Sequence, residues 1–92
     1  MKRSQIYKLI DEERARQAET WKGPHKWGKG DCSSSEVAPI AKVAILTEEL
    51  GEVARAVLEK EDRATFDELI QVAAVAVAWC ESFDDGQAEL DL

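Results

Sequence analysis

Histidine, cysteine and long apolar runs are scarce in this chain, and each shortage closes off a class of function. His25 is the only histidine among 92 residues. It sits in a glycine-rich loop without a serine or cysteine nucleophile pattern beside it, so catalysis by His25 is not expected. Cys32 and Cys80 stand alone, with no C-x-x-C spacing. One falls in a loop and the other in an apolar helix, which argues against a disulfide or a thiolate zinc site. No apolar run reaches the ~18 residues of a membrane span, and Met1-Lys2-Arg3 opens no signal-peptide pattern. The chain therefore reads as soluble and cytoplasmic, with no membrane partner. The glycine-rich loop lacks G-x-x-x-x-G-K-[ST], so it is not a P-loop. Net positive charge is missing as well. The formal net charge of -7 argues against nucleic acid as the main partner.

The acidic excess is uneven. Residues 1–31 carry eight Lys/Arg and five Asp/Glu, a net of +3, whereas residues 32–92 carry four and fourteen, a net of -10. A bound cation would offset part of the second figure. The basic first third either meets an anionic ligand or complements the acidic part within the fold. The length allows one small domain, read here as residues 1–83, followed by an acidic tail over residues 84–92.

Helical periodicity predicts an all-α protein. Ile6, Leu9, Ile10, Glu13, Gln17 and Trp21 recur at helical spacing between about Ser4 and Thr20. The loop from Lys22 to Asp31 follows, its glycines and proline predicting no regular element. Ser33-Ser34-Ser35 is expected to cap a second helix. That helix runs from near Pro39, tolerated in a first turn, to near Lys60. Its predicted core stripe is Val43, Leu46, Leu50, Val53 and Val57, with Glu48, Glu52, Arg55 and Glu59 opposite. A third helix starts between Asp62 and Thr65 and continues to about Phe83. The short connection around Glu61 predicts antiparallel packing of the last two helices, with Glu52 and Gln71 at nearly equal depth.

No polar side chain interrupts Val72 to Cys80. At about 100° per residue this segment is apolar in every direction, so it asks for burial on all sides. Three short helices cannot supply that. The expected architecture is an antiparallel helical bundle completed by homo-oligomerisation, with Ala73, Ala74, Ala76 and Ala78 allowing close helix approach.

Two acidic clusters lie on these helices: Glu48-Glu49-Leu50-Gly51-Glu52 and Asp67-Glu68-Leu69-Ile70-Gln71. Glu48 and Glu52 are four apart and Glu49 and Glu52 three apart, so each pair shares a helix face. Glu68 and Gln71 are three apart also. In an antiparallel hairpin four carboxylates and one amide converge. Such an all-oxygen set, Glu48, Glu49, Glu52, Glu68 and Gln71, suits a hard dication such as Mg²⁺. A solvated acidic face is the rival reading. Glu68, however, falls on the side of Val72, Val75 and Trp79, where a carboxylate needs a partner. A shared metal is one candidate. A capping box with Thr65 is the other.

Glu48-Glu49-x-x-Glu52, fifteen intervening residues, then Glu68-x-x-Gln71 resembles the signature of the MazG-like all-α nucleoside triphosphate pyrophosphohydrolases, E-E-x-x-E followed by E-x-x-D. Glu13-Arg14-Ala15-Arg16-Gln17 with Trp21 resembles the N-terminal segment of short bacterial and phage members, and the likeness spans roughly residues 10–82. The resemblance implies a dimer or tetramer of helical bundles. It also implies Mg²⁺-dependent hydrolysis, with Mn²⁺ as a substitute, releasing a nucleoside monophosphate and pyrophosphate. By matching positions Glu48, Glu49, Glu52 and Glu68 would be the metal ligands and catalytic residues. Clustered carboxylates repel one another until a cation joins them. That cation would bridge phosphate oxygens and lower the pKa of the attacking water. Gln71 stands where the family has Asp. It brings an oxygen without a charge, which bears on the number and affinity of metal ions.

Candidate substrate contacts surround this set. Trp21 and Trp27 bracket the loop and either stack on a base or plug the small core. Lys22, Lys26, Lys29, Arg14, Lys42 and Arg55 are candidate phosphate contacts or solvated charges. Glu13 and Gln17 lie on the apolar side of the first helix and must reach a partner, either a base or an internal group. Two rivals to the enzyme remain. One is a non-catalytic helical oligomerisation or adaptor module with a solvated acidic face. The other is a carboxylate-bridged di-iron bundle, which is weaker because such sites expect Glu-x-x-His.

Overall fold

In the computed structural model, which describes residues 1–83, three helices carry almost all the regular structure: α1 (Arg3–Thr20), α2 (Pro39–Leu58) and α3 (Asp62–Glu81). The acidic tail over residues 84–92 lies outside the described residues. α3 is the middle element. It packs against both α1 and α2, and the backbones of α1 and α2 do not approach each other. The central position explains why α3 is the most continuously apolar segment. Ala74, Val75 and Ala78 are buried, with Ile45 and Leu46 of α2 and the loop residue Cys32 packed beside them. No helix of the described residues is long and apolar enough to cross a membrane.

The loop after α1 does contain regular structure, against expectation. Pro24–His25 (β1) and Gly28–Lys29 (β2) form a two-residue antiparallel ladder. Gly28 explains it. Its φ of +136° lies outside the range of L side chains, and an added Cβ would stand 2.0 Å from the Glu36 carbonyl oxygen. Only glycine lets the hairpin lie on that backbone.

The connection into α2 also differs. The serines do not cap it; the residue before the helix is Ala38, with no side-chain cap, and Pro39 occupies the first turn. Ser33 is drawn instead to Asp31, donating backbone N–H and hydroxyl to the same carboxylate oxygen, and Ser34 Oγ accepts from the Glu36 N–H. The capping box of Thr65 and Glu68, the alternative to a shared metal, is absent too. The Thr65 hydroxyl donates back to the Glu61 carbonyl oxygen at 2.9 Å, which leaves Glu68 free of that role.

α2 and α3 are antiparallel, joined through Lys60 in the left-handed region at φ 58°. The Glu61 N–H reaches back to the Ala56 carbonyl at 3.0 Å, closing the helix end. The facing of α2 departs from the predicted stripe. Lys42 and Ala56 are buried and Ile45, Leu46, Glu49, Glu52 and Val53 half-buried, whereas Val43, Leu50 and Val57 are exposed. On a helical wheel the packed face is turned by roughly 75° from the predicted one, because α3 accepts the side carrying Glu49 and Glu52. Nor is Val72–Cys80 enclosed within one chain: Ala76, Val77 and Cys80 are exposed.

Candidate functional site

Carboxylates from α2 and α3 meet where the two helices pack. One oxygen each of Glu49, Glu52 and Glu68 lie within 4.8 Å of one another. The antiparallel register sets this, with an offset of one turn from expectation. Glu52 lies by Glu68, the two lining a groove with Ala56 and Ala64, and Glu49 lies by Gln71 in the neighbouring cleft. Among the described residues, Glu49 Oε2 and Glu68 Oε2 are buried without a hydrogen-bond partner. A buried acceptor left unpaired costs about 1–3 kcal/mol, and here two face a third carboxylate.

The electrostatics report the same crowding. Burial, followed by repulsion from Glu52 and Glu68, pushes the Glu49 carboxyl up to about 7. Burial and then the adjacent Glu52 carboxyl raise Glu68, while Arg55 pulls in the opposite sense. Both groups hold protons more tightly than a solvated carboxylate because burial and a neighbouring carboxylate each disfavour the charged form.

Glu48 stands apart from this trio. It is exposed and faces a cleft of about 190 Å³ that also receives Glu49 and Gln71. Spacing alone grouped Glu48 with Glu52, but the packed face of α2 passes through Glu49, Glu52 and Ala56, which leaves Glu48 at the edge.

The cleft runs from Glu48 and Glu49 to the aromatic hairpin, with Glu52 and Glu68 in the neighbouring groove. Trp21 and Trp27 form its far wall, each half-exposed, and His25 lies edge-on between them, its centroid 5.6 Å and 6.1 Å from theirs. His25 is held on both ring nitrogens. The Trp27 N–H donates to Nδ1 at 3.2 Å, so Nε2 carries the proton toward the Gly30 carbonyl oxygen at 2.7 Å. The ring is a brace for the two indoles. Lys26 lies over Trp27, its Nζ 4.5 Å from the ring centre.

The remaining candidates divide. Gln17 is buried and lines the cleft. Arg14 does not line it; its guanidinium is tied to Asp31 at 2.8 Å and Glu81 at 2.6 Å, and it also reaches Gln17 Oε1 at 3.3 Å. It thereby locks α1, the loop and the end of α3 together. Burial alone would raise the Asp31 carboxyl, but Ser33 and Arg14 outweigh it and hold it below its ordinary value. Lys42 is buried near Cys32, away from the trio, and tempers the upward push that burial and Asp31 exert on that thiol. Arg55 borders the groove of Glu52 and Glu68. Glu13 is paired with Arg16.

Sequence reasoning overlooked Arg16. It lines the cleft beside Glu48 and Glu49, and Glu49 acts on its charge. Two helical residues separate Arg14 from the opposite bearing of Arg16 by about 200°, and only the packing of α1 shows which faces the acidic trio. No family model matches the chain, and neither a curated protein nor a solved structure shows significant similarity to it.

Proposed function

We propose that the chain is a Mg²⁺-dependent nucleoside triphosphate pyrophosphohydrolase, releasing a nucleoside monophosphate and pyrophosphate. One observation carries the reading: three carboxylates converge with two buried oxygens unpaired, and one of the three, Glu49, also lines the cleft that Trp21 and Trp27 line. A cation fits that set. Its three oxygens lie within 4.8 Å of one another, and two carboxylate oxygens of the cluster are buried without a hydrogen-bond partner. Glu49, Glu52 and Glu68 would hold it, with Gln71 near enough to add a neutral oxygen. When bound, the ion would neutralise phosphate charge and make the attacking water more acidic.

The chain's own groups supply the rest. Trp21 and Trp27 offer flat faces for a base, braced by His25. Arg16 neutralises the phosphate chain on leaving Glu13. Glu48, at the edge of the cleft and outside the trio, accepts the proton of the water that attacks the α-phosphorus as the bond to the β-phosphate breaks. Assembly into a dimer or tetramer belongs to the same reading. Against the adaptor alternative stands the burial of one oxygen each of Glu49 and Glu68, since a solvated acidic face leaves no oxygen buried and unpaired.

Calorimetric titration with Mg²⁺ or Mn²⁺, followed by a nucleoside triphosphate panel read for pyrophosphate against orthophosphate, tests the proposal. Expected are saturable metal binding and pyrophosphate release. Metal binding without any turnover would leave a metal-holding module and reject the enzyme.

A further inference from the structure

Gln17 is only 8% exposed, and its amide is held by one end. Arg14 Nη1 donates to Gln17 Oε1 at 3.3 Å and to Asp31 Oδ2 at 2.8 Å, while its Nε donates to Glu81 at 2.6 Å. A guanidinium only donates, so the Gln17 atom beside it is the oxygen and the NH2 group is turned the other way. Among the described residues that NH2 donates to no oxygen. The Asp31 carboxylate is already engaged, Oδ1 by Ser33 and Oδ2 by Arg14. Gln17 lines the cleft and Arg14 does not, so the unused donor opens into the cleft. Gln17 and Trp21 stand four apart on one face of α1. Val37, Ile45 and Val75 give the same cleft an apolar floor, and its charge lies with Glu48, Glu49 and Arg16. The Gly30 carbonyl oxygen at the aromatic end is taken by His25.

We infer that Gln17 reads the base as a fixed donor, with Arg14 as its positioning residue, so that the cleft takes bases with an exocyclic carbonyl ahead of those with an amino group there. Uracil and hypoxanthine are of the first kind, cytosine and adenine of the second. The inference rests on the nucleotide reading. A phosphate chain belongs with the cation and Arg16, and a flat heterocycle with the indoles, which brings the base and not the phosphates to Gln17. A carbonyl oxygen accepts from the amide NH2. An amino group sets donor against donor in a partly dry cleft and leaves both unpaired. Free in water, an amide would turn to suit either base. Here turning it would set NH2 against the guanidinium, so the Arg14 contact converts an adaptable group into a selective one.

Calorimetric titration of the whole chain at pH 8 in Mg²⁺ tests it, with the α,β-methylene triphosphates of uridine, cytidine, inosine and adenosine, whose α–β bridge resists hydrolysis. The uridine analogue should bind about tenfold tighter than the cytidine analogue, and the inosine analogue tighter than the adenosine one in the same sense. Gln17→Glu keeps an oxygen on Arg14 and turns an acceptor to the cleft, so it should reverse both preferences. Gln17→Leu should abolish them. Arg14→Met should bring the ratios toward one, whereas a purely structural role would weaken all four ligands alike. Native protein that binds both members of each pair equally, or a Gln17→Glu variant that keeps the native preference, would overturn the inference and leave the nucleotide reading standing. Failure of all four analogues to bind would overturn both.

Discussion

Replacing Glu49 with glutamine should stabilise the metal-free protein, the opposite of what removing a buried native group usually does. Burial first, then Glu52 and Glu68, raise this carboxyl to about 7 from 4.5. A raised carboxyl pKa means the fold favours the protonated form. Its contribution is fully present below about 4.5 and is lost as pH rises through about 7. Taken at face value, a shift of about 2.5 units is worth roughly 3.4 kcal/mol. Glu49 is only half-buried, so solvent screening reduces this to about 1–2 kcal/mol. Glutamine removes the charge and offers an amide donor to the Glu52 and Glu68 carboxylates. In a domain of this size that corresponds to a rise in Tm of roughly 5–10 °C at pH 8. The difference from the native protein should shrink toward pH 4.5. Thermal melts in EDTA across pH 4.5–8 measure it. Mg²⁺ should then reverse the order, since binding stabilises only the protein that retains the site. A Glu49→Gln variant less stable than native at pH 8 in EDTA would refute the crowding on which the metal reading stands.

Gln71→Asp adds a charge beside Glu49 in the cleft and should tighten Mg²⁺ binding while lowering metal-free stability, both read by calorimetry. Lys60→Gly relieves a non-glycine residue at φ 58° and should stabilise by about 0.5–1 kcal/mol after the entropic cost of glycine, seen as a higher Tm with unchanged metal affinity. Gly28→Ala places a Cβ against the Glu36 carbonyl oxygen and should displace the hairpin, shifting the tryptophan emission of Trp21 and Trp27 while the helical circular dichroism signal persists.

The helices were legible in the sequence because their limits are local. Pro39 can begin a helix but not continue one, and the glycines from Gly23 to Gly30 cannot continue α1. The convergence of Glu49, Glu52 and Glu68 was legible too, since helical spacing and one short turn bring it about. Facing was not. α2 is apolar around most of its circumference, so periodicity centred its stripe on Leu50, whereas α3 packs on the flank bearing the carboxylates. The same ambiguity misplaced Glu48 in the trio and favoured Arg14 over Arg16 as the cation of the cleft. The hairpin was hidden for another reason. It depends on Gly28 touching the backbone of Glu36, a contact between residues that composition alone reads as loop. The serines were misread because the helix begins further on, after Ala38, while Ser33 is taken by Asp31 and Ser34 by the Glu36 N–H.

That displaced facing is itself an argument about function. A single chain seeking only stability would turn α2 by a fraction of a turn, burying Val43, Leu50 and Val57 and releasing Glu49 and Glu52 to water. Instead the helix keeps five large apolar side chains outside and two carboxylates at the packed face. Burying a Val or Leu side chain is worth about 1.5–3 kcal/mol, and leaving a buried carboxylate oxygen unpaired costs a comparable amount. Both preferences are thus set aside at one helix. A cation among the carboxylates and assembly over the exposed apolar side chains would each remove one of the two conflicts. Neither alone removes both, because a metal leaves the valines in water and assembly on that side leaves Glu49 and Glu68 unpaired.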